Sequence, residues 1–448
     1  MQSAIARTSA GILAAILAAA AWPQDQPRAP VLKIDDAVAL ALKGNRQLQA
    51  GALNIFRAHE GTAAIETQRL PQFQLYMLGG EAVRPISFSI PEGALGVYPN
   101  VGPIPAANAK ITTPQTFTGV FLGQVSEPVT QQWKIHLAGL SSRIGEDLAK
   151  AAYEQQKQDT SHSVRDLYYQ LIQTQTEVES AEANVKYLAQ LQEETDRNLA
   201  EQTALKGDSL SVKAKLSRQR YQLLTLRDSL ANQKEALNRL LGRDADTDFT
   251  VDAEPLPGAD EIDLATARKQ AASRRSEIRQ AQLQTQKAEV EVRRQRADYI
   301  PDVSIHFTYL TFPNVSFLPQ NIMDAGFLVQ WQPFDWGEKR HKVAALRYAA
   351  RQASLTEQDA REQVKLDVDA RFRALSEARA SLDSAAVAQE AEREKLRVVT
   401  NRYGQKAALL SDVLQQEASL ARADTDYRQA LAAFWKAKAS FDRALGKE

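Results

Sequence analysis

Five histidines, His59, His136, His162, His306 and His341, are the residues to consider first for acid–base chemistry or metal ligation. Only an imidazole changes charge near neutral pH and also offers a neutral nitrogen to a metal. They are dispersed along the chain, and no two stand at the i, i+4 spacing that places paired ligands on one helix face. Cysteine is absent, which removes thiolate nucleophiles, thiolate metal sites, disulfides and an N-terminal lipidated cysteine. No phosphate-cradling glycine loop, serine elbow or carboxylate dyad of recognisable spacing occurs. The acidic residues fall on helix faces at coiled-coil spacing, which is the pattern of a solvated surface. This distribution points away from an enzyme and implies no cofactor and no bound metal.

The question then becomes what the elements build. Lys and Arg number 55 and so do Asp and Glu, so nothing in the net charge favours nucleic acid as a partner. Arg7 followed by the apolar run Gly11 to Ala21, with small residues at Ala19 and Ala21, reads as a signal peptide over 1–21. An uncleaved anchor helix is the alternative, but the run is much shorter than the ~20 apolar residues a span needs. No later stretch approaches that length, so any membrane attachment has to come from β-structure.

Proline lacks an N–H and clashes with the preceding helical turn, so proline-free tracts mark where long helices are permitted. Of the 17 prolines, 12 crowd into windows 71–128 and 301–333, with none between Pro128 and Pro255 and none after Pro333. The plan occurs twice. Asn45-Arg46-Gln47-Leu48 precedes Pro71 by the same distance as Arg275-Ser276-Glu277-Ile278 precedes Pro301, an offset of 230 residues. Pro128 and Pro333 are offset by 205, so the first loop is 25 residues the longer. We read 22–257 and 258–448 as two structural repeats. Each runs helix, strand–loop–strand (72–127 and 302–332), then a long helical hairpin (131–242 and 337–446).

In the helical tracts Val164, Leu167, Leu171, Thr174, Val178, Ala181, Val185, Leu188, Gln192, Thr195 and Leu199 alternate steps of three and four, the seam of a coiled coil. Leu216, Leu223, Leu230 and Leu237 return at seven-residue intervals. A helix from about Gln131 to Leu205 extends on the order of 100 Å at 1.5 Å per residue, a periplasm-scale reach. A soluble coiled-coil spacer would show the same seams. In the β windows, Val303, Ile305, Phe307 and Tyr309 alternate with Ser304, His306 and Thr308, and Phe327, Val329 and Trp331 with Gln330 and Gln332. Phe73, Leu75 and Met77 do so with Gln72, Gln74 and Tyr76. Apolar-out, polar-in alternation is the transmembrane β-strand pattern, although a soluble sheet with one buried face alternates too. Nine of the 31 aromatic residues lie within 299–336, the clustering of an interfacial girdle. Four strands cannot close a barrel, and in lipid every edge group must be paired, so three chains pooling twelve strands is the expectation.

Three stretches carry a family resemblance: Ile34 to Lys43 followed by Asn45; the paired entries Leu70-Pro71-Gln72 and Ile300-Pro301-Asp302; and Pro333-Phe334-Asp335-Trp336-Gly337 opening a long helix. A fourth is Arg402-Tyr403 through Ser411-Asp412-Val413-Leu414. Over essentially the whole mature chain the sequence resembles the TolC family of outer-membrane factors. The resemblance implies a mainly α, TolC-like fold with long antiparallel helices forming an α-barrel in the periplasm and four strands per chain in a 12-stranded, homotrimeric barrel among outer-membrane lipid. It also implies a periplasmic adaptor (membrane fusion) protein and an inner-membrane RND or ABC-type transporter as partners, with the chain as the exit duct of an efflux or type I secretion system. By motif position Asp412 matches the first acidic residue of the ring that gates the periplasmic tip, and the second falls on Gln415. Tyr403 matches a linking tyrosine, with Ser211 as its first-half counterpart. The adaptor-docking turns fall at Gly207 and Lys406. A differing reading of the residues is a periplasmic coiled-coil adaptor or scaffold without a pore, built of one hairpin and compact β-domains. The long first loop, 79–117, is either a lid over the mouth or a stiff surface loop.

Overall fold

The computed structural model describes residues 30–447 except 82, 86, 113–115, 203–204, 253–262, 315–318, 406 and 409. The signal-peptide reading and the repeat boundary at 257/258 fall outside the described residues. In chain order the elements are β1 (Val31–Leu32), α1 (Ile34–Gly44), α2 (Arg46–Thr67), β2 (Gln72–Glu81), β3 (Ser87–Ile90), β4 (Val97–Tyr98), β5 (Gly102–Pro103), β6 (Ala109–Thr112), β7 (Phe117–Pro128), α3 (Gln131–Ala200), α4 (Lys206–Leu241), β8 (Thr250–Val251), α5 (Leu264–Arg274), α6 (Ser276–Arg296), β9 (Asp302–Thr311), β10 (Asn321–Gln330), α7 (Glu338–Gly404) and α8 (Leu410–Ala444). The long helices fall in the proline-free tracts, and every strand except the short β1 and β8 falls in the proline-crowded windows. Helix α3 has 70 residues and α7 has 67, so each extends on the order of 100 Å.

The coiled-coil seam is the buried stripe of α3: Val164, Leu171, Thr174, Val178, Ala181 and Leu188 are buried, with Val164 and Leu171 clustered with Leu237 of α4 and Val178 and Ala181 with Leu223. Near the sheet, α2, α3, α6 and α7 lie side by side in that order, and farther along the order is α4, α3, α8 and α7. The antiparallel sheet has the order β10-β9-β7-β2. The chain is therefore a ribbon four elements wide in all three tiers. One margin is β2, α2 and α4; the other is β10 and α7.

Local chemistry fixes the joins between tiers. Thr130 Oγ1 donates to the Pro301 carbonyl (2.7 Å) and accepts from Val303 N–H (2.8 Å), clamping the start of α3 to the entry of β9. In the Pro333–Gly337 stretch, Asp335 accepts from Gly337 N–H (3.0 Å) and Lys339 N–H (2.9 Å), capping α7. The 79–117 segment is itself folded into two small hairpin pairings, β3 with β6 and β4 with β5.

Two joints form the waist between the sheet end and the far end. In the first, Asn45, 4% exposed, accepts from the N–H groups of Gln47 (2.9 Å) and Leu48 (3.2 Å) and donates to the Leu240 carbonyl (2.9 Å). One side chain thus caps α2 and ties it to the end of α4. Gly242 beside it has φ +72°, and a Cβ there would lie 2.0 Å from the Gly44 carbonyl oxygen, so only glycine fits. Parallel pairing of β1 and β8 is sealed by buried Tyr168, whose hydroxyl donates to the Leu32 carbonyl at 2.8 Å. In the second joint, buried Arg275 is held by Glu277 through two 2.9 Å contacts and by Asp367 at 2.9 Å, next to Gly446 at φ +73°.

Asn45→Ala removes the cap and strands the Leu240 carbonyl, and the expected loss is about 1–3 kcal/mol in thermal unfolding followed by circular dichroism in detergent. Asn45→Asp keeps the acceptor but not the donor and falls between Asn45→Ala and the parent.

Candidate functional site

The surfaces that stand out among the described residues are the two faces of the sheet and the far ends of the helical hairpins. Ladder register sorts the strands into faces because alternate side chains point opposite ways. Phe73, Leu75 and Met77 of β2, Phe121, Gly123 and Val125 of β7, Val303, Ile305, Phe307 and Tyr309 of β9, and Met323, Ala325, Phe327 and Val329 of β10 share one face. Phe73 is 71% exposed, Met77 75% and Phe327 74%. No described element covers this apolar face, which is far larger than the isolated surface apolar residues that are normal.

The other face is ordered in rows. Gln72, Ser126, His306 and Gly326 face one another across the four strands, and one step farther from the helices come Gln74, Gln124, Thr308 and Asp324. The next row is Tyr76, Leu122, Leu310 and Ile322. His306 Nε2 lies 3.1 Å from Asp324 Oδ2, so the imidazole N–H donates to the carboxylate, which can only accept. Two polar rows are therefore followed by an apolar one.

At the far end, each hairpin turn follows a helix that starts at the sheet. Asp412 is in the first turn of α8 and exposed, and Gln415, also exposed, is three residues on. Ser211 is exposed on the first turns of α4. Tyr403 lies in the last turn of α7, with its side chain outside what is described, and Lys406 lies outside the described residues. Gly207 is the second residue of α4, and among the described residues between α3 and α4 it is Gln202 that has a left-handed backbone, at φ 59°. Glutamine accepts that backbone at modest cost because the turn is open to solvent, so glycine was a poor marker of it. Helix α3 accordingly ends at Ala200, short of Leu205.

Sequence reasoning passed over the residues that join the first hairpin near its turn. Ser209 Oγ donates to Asp196 Oδ1 (2.6 Å), and Gln192 Nε2 donates to the same oxygen (2.8 Å). These bonds, that of Ser209 foremost, hold the Asp196 carboxyl below its ordinary value. Gln192 stood in the apolar seam as a diluting residue, and Asp196 lies off it; a polar residue at a seam position one turn from a carboxylate was the available signal. In the second hairpin Gln416 Nε2 donates to Glu392, whose carboxyl is lowered first by Lys395 and then by Gln416. Farther up, Gln389 Nε2 donates to Asp424 (2.7 Å). Between hairpins, Trp435 stacks on Tyr169 with ring centroids 6.0 Å apart. Among the described residues no group of three His, Asp or Glu side chains is placed to hold a metal, and no helix is long and apolar enough to cross a membrane.

An apolar sheet face that no described element covers is continued here by a wall of long helices. No protein-family model matches the chain, and no curated protein matches it by sequence. Among solved structures it is similar to the Campylobacter jejuni CmeC outer membrane channel, with a TM-score of 0.74 at 14% identity over 92% of this chain and 85% of that one. The outer membrane protein VceC from Vibrio cholerae gives 0.70 at 17% identity over 92% and 96%. The Neisseria gonorrhoeae MtrE outer membrane channel in its open state gives 0.69 at 15% over 92% and 89%. The chain has the fold of these channels, the mainly helical TolC-like fold.

The depressed Asp196 carboxyl makes the first turn sensitive to pH. Its stabilising contribution is present above the unfolded carboxylate range and is lost as pH falls through the folded value. Ser209→Ala is expected to speed amide exchange in peptides spanning 196–209 at pH 7, as acidification does in the parent, while leaving exchange around 164–171 unchanged. Hydrogen exchange read by mass spectrometry checks both.

Proposed function

We propose that three copies of this chain close into one tube and serve as the outer-membrane exit duct of a tripartite efflux or type I secretion system. In this reading β2, β7, β9 and β10 of each copy supply twelve strands of a barrel in the outer membrane, and α2 to α8 build the tunnel through the periplasm. The observation that carries it is the ribbon four elements wide with bare margins. Strands β2 and β10 each leave one row of N–H and C=O groups without a partner strand among the described residues, which lipid does not tolerate and which another copy's complementary margin would satisfy. Exposed Leu53 and Phe56 of α2, Tyr221 and Leu224 of α4, and Tyr348 and Leu366 of α7 lie on helices of the same two margins. Their burial between copies accounts for apolar side chains that one chain leaves in water.

The apolar face then meets lipid and the polar rows line water. Passive conduction needs no catalytic group, in keeping with an absence of any candidate in the sequence. The adaptor would engage the hairpin turns around 201–207 and 405–409, and an inner-membrane RND or ABC-type pump would supply the driving force. Asp412, pooled threefold, would form the acidic ring of the gate, with Gln415 a neutral companion and Tyr403 and Ser211 contributing polar links. The two joints, Asn45 with Gly242 and Arg275 with Gly446, occupy corresponding places in the halves 22–257 and 258–448 and support their reading as a duplication. The pore-free adaptor reading is disfavoured by the uncovered apolar face, which a water-soluble protein would have to bury.

Detergent-extracted protein is expected to have the mass of three chains and to conduct ions in planar bilayers; a water-soluble, non-conducting monomer would refute the duct. Asp412→Ala should raise single-channel conductance and weaken block by added multivalent cations, and unchanged values would remove Asp412 from the ring.

A further inference from the structure

The rows on the polar sheet face carry more than wettability. Among the described strand residues of that face, the ionisable groups capable of carrying charge at neutral pH are Asp302, His306 and Asp324. Asp302 sits at the strand entry and is bound by Lys134 at 2.7 Å. Asp324, on the margin strand β10, is met instead by an imidazole, His306 at 3.1 Å. That contact depends on the residue paired with His306 across the ladder, Gly326: a Cβ there would stand 3.2 Å from the imidazole Cε1, so the glycine leaves room for the ring to lie across β10 toward the carboxylate. Around the pair, β7 presents Gln124 and Ser126, β9 presents Ser304 and Thr308, and β2 beyond presents Gln72 and Gln74. None of these titrates. Immediately distal lies the apolar row of Tyr76, Leu122, Leu310 and Ile322. A charge next to a low-dielectric wall projects its field into the lumen in preference to the wall.

Resting on the duct reading, we infer that the Asp324–His306 pair, repeated in three copies, is a charge filter within the barrel, separate from the tip, that favours cationic solutes at neutral pH and relaxes in acid. An imidazole carries charge only when protonated. With a neutral imidazole beside the carboxylate each pair carries one negative charge and the belt three, and with a protonated one each pair is neutral. The belt thus turns from cation-favouring to indifferent as the medium at the barrel acidifies, with no movement of the backbone.

Reversal potentials across a salt gradient in planar bilayers test this, in dilute electrolyte where the screening length is ~30 Å at about 0.01 M and the belt acts across the lumen. The parent channel is expected to prefer cations at pH 7.5 and to lose much of that preference at pH 5. His306→Gln should keep the preference at pH 7.5 and also keep it at pH 5. Asp324→Asn should lose it at pH 7.5. The chain has no cysteine, so Asp324→Cys offers a single thiol: an anionic methanethiosulfonate should restore cation preference and a cationic one reverse it. A conducting Asp324→Asn channel with parental reversal potentials, a His306→Gln channel with the parental pH response, or a thiol at 324 whose labelling leaves the potential unmoved would each overturn the filter and leave the duct standing. Absence of conductance in the parent would overturn the duct itself and the filter with it.

Discussion

Backbone groups at the margin of a sheet have to find partners, and in lipid the only candidates are other strands. In the proposed duct the chain is arranged around that constraint. The order β10-β9-β7-β2 ends in two strands that have no further partner strand among the described residues, and each is directly continuous with a margin helix, β10 leading into α7 and α2 leading into β2. The same two edges therefore run through sheet and helices alike. In the proposed duct, closure with neighbouring copies would solve the problem in every tier at once, and a four-wide ribbon too narrow to curl onto itself is well suited to it.

Between the tiers the chain spends its most specific chemistry. At the first joint a neutral Asn45 meets the last carbonyls of α4, and Gly242 permits a close backbone approach. At the second the same place is held by Arg275 between two carboxylates, which satisfies a buried guanidinium by charge instead. Both solutions terminate a returning helix with a left-handed glycine, Gly242 and Gly446, since that backbone turn lets the helix end pack under the start of another. The similarity of position and the difference in chemistry show that geometry, more than any one bond, is what the joint has to preserve.

Much of this was legible in the residues. Proline segregation located the helices and strands because the missing N–H acts on the backbone regardless of tertiary context, and the three–four rhythm from Val164 marked the face of α3 that is buried. The alternation in β9 and β10 sorted their side chains to the correct faces. The turns were harder to read. Gly207 drew attention as a glycine, but a solvent-exposed turn puts little demand on residue type and Gln202 serves. The Gln192–Asp196–Ser209 cluster was hidden because its bonds join residues 13 and 17 apart across a turn, a pairing that periodicity along one helix does not report. Likewise, the closeness of His306 and Asp324 depends on strand register, which composition does not carry.

Energetics place mobility at the far end. The waist buries Tyr168, Phe249, Leu237 and Leu241 almost completely, and each such side chain contributes about 1.5–3 kcal/mol of transfer free energy. Near the turn of the first hairpin the specific ties are hydrogen bonds to an exposed Asp196, which competing water weakens. A chain held this unevenly opens first where its contacts are cheapest. In the proposed duct, a gate at the hairpin turns therefore demands little free energy from the partner that opens it, while the waist keeps the wall closed. Polar residues diluting the lower seam, Gln192 and Thr195 where higher up there are Val164 and Leu171, are what a wall needs in order to be firm at one end and yielding at the other.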